Sequence, residues 1–312
     1  MAGVIGHIAN PTPGQCADLA RHAEEAGADW IGFADAFWWR DVWMALTHVA
    51  AATSTIHIGP AMTNAYLRHP FHTVSALATL QEQAPSRVFV GVTAGGSEVS
   101  AAAGISRRDA PERIRTLVDT IRQVEQGGPL DEASGRGLDV TLGPVSVLMA
   151  ARGDRMLRAA GELADRVLLW AIPDSDLDRT VDVIMSAATD RDRPPELVWA
   201  PLVEHDASLH ASIMHVAVYA SLNTRASVRS AWGLDADLVE RIRAELVRGG
   251  TEAAAAMVPS RALDDLLVAD ASPDDVSTRA RTLGVTSIAV PGFSVDTVEA
   301  HVNWARAIEA QL

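Results

Sequence analysis

The chain has 312 residues, 48% of them hydrophobic, and a formal net charge of -14. It is therefore long enough to bury the core of one (β/α)8 barrel, and it lacks the basic surface that nucleic-acid binding requires. All 26 basic residues are arginine, which excludes Schiff-base chemistry on a lysine, and the single cysteine, Cys16, excludes an intrachain disulfide, a four-cysteine zinc site and a cysteine-held iron–sulfur cluster.

Short β-rich runs alternate with longer helical stretches along the chain. The predicted strands are 4–9, 30–34, 56–59, 88–93, 145–150, 166–170, 197–203 and 286–290. The predicted helices are 15–26, 42–52, 73–83, 110–125, 155–163, 177–188 and 295–311. This rhythm predicts parallel strands with crossover helices, and at this length a TIM barrel is favoured over an open sheet.

Two segments depart from the rhythm. Residues 127–143 are rich in Gly, Asp and Glu and predict a loop with a minor hairpin. Residues 208–283 are too long for one crossover helix and predict a helical insertion before the eighth strand. No linker or repeat interrupts the chain, so we expect residues 1–312 to form one domain.

The chain start does not have the pattern of a signal peptide, and no apolar run reaches the roughly 18 residues of a membrane span. We therefore expect a cytoplasmic protein with no membrane partner.

Barrel active sites lie at the carboxyl ends of the strands, so the residues there are the candidates for chemistry. In chain order they are His7, Asn10, Asp35, the aromatic run Phe37, Trp38 and Trp39, then Thr63, Asn64, Gly95, Gly96, Glu98, Arg152, Gly153, Trp170 and Glu204. At least one of the three consecutive aromatic side chains is expected to line a cleft or an interface. The histidines at 205, 210 and 215 are spaced around a helix, not along one face, so no metal site is predicted.

The segment 150–156 runs from a strand directly into a helix. The first N–H groups of that helix, with Arg152 and Arg155 nearby, would suit an anion. An ordinary tight turn relieved by Gly153 explains the same residues, and composition does not decide between the two. The glycine-rich strand end 91–96 is likewise open to a simple packing explanation.

Several motifs together resemble one family. Gly59-Pro-Ala-Met-Thr-Asn64 and Arg68-His-Pro70 resemble a signature of methylenetetrahydromethanopterin reductases, which are luciferase-like proteins. The stretches 35–43, 87–96 and 150–165 continue the resemblance in register.

The resemblance implies a TIM barrel, commonly a homodimer, with a flat redox cofactor over the strand ends, either coenzyme F420 or FMN. It implies a non-prolyl cis peptide at Ala61–Met62 beneath the ring, and Thr63, Asn64 and Gly95 at the ring edge. It also implies a phosphate site formed by Ala151, Arg152, Gly153, Asp154, Arg155 and Met156.

Two positions depart from the reductase pattern. Ala36 stands where the family has a histidine after the aspartate, and His7 stands where the reductases have an acidic residue. Both positions are expected to face the active site at the strand ends. Their change predicts a small-molecule substrate other than methylenetetrahydromethanopterin.

Three functions compete at this level. The first is an F420-dependent reductase or dehydrogenase, with His7 or Glu98 transferring a proton, Asp35 orienting, and Trp38, Trp39 and Trp170 forming aromatic walls for the substrate. The second is a monooxygenase that uses reduced FMN, and the third is a binding or partner subunit that has lost its cofactor.

Overall fold

A computed structural model describes residues 1–6, 10–36, 38–96, 100, 103–204, 209–268 and 272–312. In this part of the chain, nine strands form a single sheet in which every paired strand is parallel. The strands are β1 (Ala2–Gly6), β2 (Trp30–Phe33), β3 (His57–Pro60), β4 (Thr63–Asn64), β5 (Phe89–Thr93), β6 (Ser146–Ala150), β7 (Arg166–Trp170), β8 (Glu196–Ala200) and β9 (Ser287–Gly292).

The sheet closes into a barrel at β3 and β4, which are two pieces of one barrel strand. The first piece pairs with β2 and the second with β5, and a bridge between Ile58 and Val88 joins the two sides. The peptide bond Ala61–Met62 between the pieces is cis, which confirms the position that the family resemblance implied. Because β3 and β4 count as one barrel strand, the nine strands form an eight-stranded TIM barrel.

Helices surround the barrel. They are α1 (Pro13–Glu25), α2 (Val42–Ala52), α3 (Pro70–Gln83), α4 (Ala110–Glu125), α5 (Asp154–Leu163), α6 (Asp174–Ala187), α7 (His210–Asn223), α8 (Ala226–Trp232), α9 (Ala236–Arg248), α10 (Gly250–Ala255), α11 (Ser260–Leu266), α12 (Pro273–Thr282) and α13 (Val295–Glu309).

Local sequence explains where α1 begins and which way it faces. Thr12 and Gln15 form a capping box, and Pro13 occupies the first turn. Cys16, Leu19, Ala20 and Ala23 recur at helical spacing and are all buried against the barrel.

The barrel interior is blocked at its amino-terminal end by an arginine that packs against two aromatic rings. Trp30 and Phe89 meet edge to face with centroids 5.6 Å apart. The Arg166 guanidinium lies 5.5 Å and 5.4 Å from these two centroids, and its side chain is buried. Burial lowers the pKa of Arg166. The open end of the barrel is therefore the carboxyl-terminal end.

The helical insertion predicted before the last strand is present. Helices α7–α11 lie between β8 and β9, α12 makes the crossover to β9, and the insertion has a core of its own that includes Val216, Trp232 and Ile242. The end of the insertion returns to the barrel, where the Val268 N–H donates to the Leu202 carbonyl at 2.9 Å.

Most predicted elements lie within three residues of those observed, and the helices 42–52 and 110–125 and the strand 166–170 have the predicted bounds. The predicted minor hairpin is reduced to an isolated antiparallel bridge between Asp131 and Arg136. No helix formed by the described residues is both long and apolar enough to cross a membrane.

We predict that Gly161→Ala destabilises the protein, because Gly161 is where α5 packs against α6. An added Cβ would lie 2.2 Å from the Ile184 carbonyl oxygen, which is backbone and cannot rotate away. We expect a loss of roughly 1–3 kcal/mol in the free energy of unfolding, measured by urea denaturation. As a control, Gly137→Ala meets nothing within 4 Å and should change it by less than about 0.5 kcal/mol. Equal stability of the two variants would refute the packing argument.

Candidate active site

A cavity of about 550 Å³ opens at the carboxyl ends of β5, β6 and β7. Its walls come from both the barrel and the insertion. Trp170 and Leu168 contribute from β7, and Val216 and Tyr219 contribute from α7. This combination of apolar and aromatic walls at the open end of a barrel is typical of a small-molecule site.

The amino terminus of α5 faces this cavity. Gly153 is the N-cap, with φ 75° and ψ 147°, and an added Cβ there would have nothing within 4 Å. No acceptor in the described part of the chain takes the backbone N–H groups of Asp154, Arg155 or Met156. Gly153 and Met156 both line the cavity. The unpaired donors and the helix dipole together favour an anion at this point.

Arg152 lies in the same wall, and two backbone carbonyls hold its side chain in place. Its Nη2 donates to the carbonyls of Trp170 at 2.9 Å and Ala171 at 2.8 Å. Burial lowers the pKa of Arg152 to about 10, and the charge of Asp176 opposes this effect. The guanidinium is still protonated at neutral pH, so it adds a positive charge beside the α5 terminus.

Two neighbouring side chains of the predicted phosphate segment turn away from the cavity. Arg155 is exposed and pairs with Glu112 on α4, while Asp154 pairs with Arg179 on α6. Neither side chain lines the cavity, although the backbone of both residues belongs to the open first turn of α5.

Asp35 and Thr63 form a pair where β2 and β4 end. The Thr63 hydroxyl donates to Asp35 Oδ2 at 2.6 Å, and the Asp35 N–H donates to the Met62 carbonyl at 3.3 Å. Burial raises the pKa of Asp35, and the hydrogen bond from Thr63 and the charge of Arg68 oppose the rise.

Asn64 connects this pair to the cavity. Its Oδ1 accepts from the N–H groups of Tyr66 and Leu67, which fixes the turn after β4. Gly95, with φ 81°, packs beside the Asn64 amide and lines the cavity. Gly91, in contrast, is a packing position, because a Cβ there would lie 2.4 Å from the Pro60 carbonyl oxygen.

Comparison with known proteins places the chain in a family. The family model for luciferase-like monooxygenases matches residues 3–287. The chain belongs to this family. The match confirms the resemblance drawn from the motifs.

Two curated relatives and one solved structure show the range of this likeness. A 5,10-methylenetetrahydromethanopterin reductase of Archaeoglobus fulgidus is 29% identical over 285 residues, 85% of this chain and 86% of the relative. An F420-dependent glucose-6-phosphate dehydrogenase of Kineococcus radiotolerans is 28% identical over 250 residues, 64% of this chain and 74% of the relative.

The structure of the coenzyme F420-dependent tetrahydromethanopterin reductase from Methanopyrus kandleri superposes with a TM-score of 0.80 at 22% identity, covering 97% of each chain. This likeness confirms the barrel fold. The family model describes monooxygenases, and the two relatives are named as a reductase and a dehydrogenase, so the chain is an enzyme of the oxidoreductase class.

The structure brings part of the predicted site of this luciferase-like chain together. Ala151, Arg152, Gly153, Met156, Gly95 and Trp170 line one cavity. Ala61, Met62, Thr63 and Asn64 lie on the neighbouring barrel strand. Trp38 is 49% exposed and Trp39 is half-buried, and neither lines this cavity. His7, Phe37 and Glu98 lie outside the described residues, so their roles stay predictions.

Sequence reasoning missed the contribution of the insertion. Tyr219 and Arg225 line the cavity from α7 and the start of α8, and Asp176 lines it from α6. No strand precedes Tyr219 or Arg225 directly, so the rule that selects strand ends passed over both residues. Arg107, which donates to the Gly95 carbonyl at 2.6 Å, was missed for the same reason.

We predict that Asp35→Asn changes how stability depends on pH. The pKa of Asp35 is raised in the folded state. The aspartate therefore costs stability as pH rises from its ordinary pKa, near 3.9, through the folded pKa. Since asparagine does not titrate, the variant should gain stability relative to the wild type over this window.

The measurement is the free energy of unfolding by urea, taken for both proteins at several pH values from 4 to 7. Asp139→Asn is the control, because it makes the same replacement at an exposed position. If the free energy of unfolding of Asp35→Asn, relative to the wild type, falls as pH rises, the burial argument is wrong.

Proposed function

We propose that the protein is an F420-dependent oxidoreductase, acting as a reductase. It would transfer hydride between the deazaflavin and a small organic substrate other than methylenetetrahydromethanopterin. The observation that carries this proposal is the set of unpaired backbone donors at the start of α5, beside Arg152, at the open end of the barrel.

The charge of the cavity suits a cofactor with an acidic end. Among its described lining residues are Arg107, Arg152 and Arg225, and Asp176 is the one acidic residue. This positive wall lies in a chain whose formal net charge is -14. Because the chain as a whole is acidic, the grouping of three arginines at one cavity favours a function in anion binding over a general effect on solubility.

Each part of the chain has a distinct task in this proposal. The N–H groups from Gly153 to Met156, with Arg152, would hold the phosphate. Ala61, Met62, Thr63, Asn64 and Gly95 would lie along the ring, with Asp35 oriented by Thr63. Trp38, Trp39 and Trp170 would border the substrate.

When bound, the deazaflavin supplies the hydride, and the protein supplies placement and a proton. His7 would deliver the proton at neutral pH because the ordinary pKa of histidine is near 6.5, with Glu98 as the alternative donor.

The similarity to an F420-dependent dehydrogenase and to methylenetetrahydromethanopterin reductases supports F420 over FMN. A reduced-FMN monooxygenase is the second candidate, since the matching family model describes monooxygenases. A homodimer in the cytoplasm stays a prediction from the resemblance.

The cofactor is tested by titrating the purified protein with F420 and, separately, with FMN, following fluorescence. We expect saturable binding of F420, and turnover that consumes no oxygen. Tight binding of FMN, no binding of F420, and oxygen consumption with substrate would instead assign the protein to the monooxygenases.

The proton donor is tested with His7→Ala. We expect turnover to fall about 10²–10⁴-fold while the Kd of F420 stays within a factor of two, because the residue would act in proton transfer and not in cofactor binding. His72→Ala is the control, since His72 is an exposed histidine of α3. Normal turnover in folded His7→Ala protein would transfer the role to Glu98.

A further inference from the structure

The arginine that fills the amino-terminal end of the barrel has no counter-charge among the described residues. Arg166 is only 6% exposed, and its Nε is buried without a hydrogen-bond partner. No carboxylate in the described part of the chain forms an ion pair with its guanidinium. An unpaired buried charge is costly, and the cation–π contacts with Trp30 and Phe89 offset only part of that cost.

Two carboxylates act on Arg166 only through their charge. Glu196 is its register partner on β8, but the Glu196 side chain is exposed and does not bond to the guanidinium. Asp165 accepts from the Val147 N–H at 2.7 Å and from Arg122 at 2.6 Å, so its hydrogen bonds are made elsewhere. Burial lowers the pKa of Arg166, and the charges of these two carboxylates oppose the fall. An arginine stays protonated in proteins, so the positive charge remains.

The guanidinium of Arg166 lies near the barrel axis. Its backbone belongs to β7, whereas its guanidinium lies 5.5 Å from the ring centroid of Trp30 on β2. In the eight-stranded barrel, β2 and β7 are on opposite sides. The side chain therefore extends across the barrel, and its charge lies at the centre of the amino-terminal opening.

Two further hydrogen-bond donors face the same opening. Ser146 is the register partner of Phe89, and His57 is the register partner of Trp30. Both aromatic rings lie inside the barrel, and register partners share a face of the sheet, so Ser146 and His57 also face inward. Burial and then the charge of Arg166 lower the pKa of His57. The histidine is therefore neutral at pH 7.5 and can donate an N–H group.

We propose that a small inorganic anion such as chloride binds at the amino-terminal opening of the barrel, held by Arg166 with Ser146 and His57. The anion supplies the counter-charge that the described residues do not provide. A small ion fits because the opening leaves so little of Arg166 accessible. This site is at the opposite end of the barrel from the candidate active site, and it does not depend on the proposed function.

The experiment compares thermal unfolding in sodium chloride with that in sodium gluconate at equal ionic strength. Gluconate is a bulky anion that the opening excludes. Arg166→Met removes the charge and keeps a similar volume. Arg261→Met is the matched control, because it makes the same replacement at an exposed residue of the insertion. Glu196→Gln tests whether the neighbouring carboxylate is the counter-charge instead.

We expect the Tm of the wild type to be about 2 °C or more higher in about 0.3 M chloride than in gluconate, because an ion that binds only the folded state stabilises it by mass action. The difference should disappear in Arg166→Met and persist in Arg261→Met. In Glu196→Gln it should persist or increase, since the variant removes a negative charge that repels the anion.

Three outcomes overturn the site. The wild type has the same Tm in both salts, or the chloride effect remains in Arg166→Met, or Glu196→Gln acquires a chloride effect that the wild type lacks. The last result would assign the counter-charge to Glu196. If Arg166→Met does not fold, wild-type crystals grown in sodium bromide provide the test. An anomalous peak beside the Arg166 guanidinium supports the site, and its absence refutes it.

Discussion

The barrel closes only because three glycines let the third barrel strand approach its neighbours. A Cβ on Gly32 would lie 2.5 Å from the Ala61 Cβ, one on Gly59 would lie 2.2 Å from the Phe89 carbonyl oxygen, and one on Gly91 would lie 2.4 Å from the Pro60 carbonyl oxygen. No side chain fits at these separations. Thr63 and Asn64 form the second piece of this strand. Their positions, which we expect to lie along the cofactor ring, are therefore set by the closure of the barrel.

The two ends of the closed barrel carry different kinds of residue. At the amino-terminal end, Arg166 packs against Trp30 and Phe89 and fills the interior, a cation–π arrangement that contributes about 2 kcal/mol when desolvated. At the carboxyl-terminal end, the strands are followed by small residues such as Gly95 and Gly153, which leave space. The filled end and the end that carries the candidate site are therefore opposite ends of the same parallel sheet.

The sequence predicts most of the barrel because its information is local: alternating apolar runs, caps and glycines specify each strand and helix. Side-chain direction is not local. Arg155 and Arg152 are three residues apart, yet Arg155 pairs with Glu112 on another helix and Arg152 turns to the cavity. The wall from Tyr219 and Arg225 was missed for the same reason, since it depends on how the insertion folds back over β7.

The insertion explains how one barrel can serve different ligands. Its core, built around Val216, Trp232 and Ile242, is distinct from the core between the barrel and its outer helices. The insertion core meets a third cluster, inside the barrel, at the mouth, where Trp170 packs against both. Substitutions on the cavity side of α7 and α8 can thus alter charge and shape at the site while the closure at β3 and β4 is kept. In the proposed site, the barrel would fix where the anion binds, and the insertion would set the charge and shape around the rest of the bound molecule.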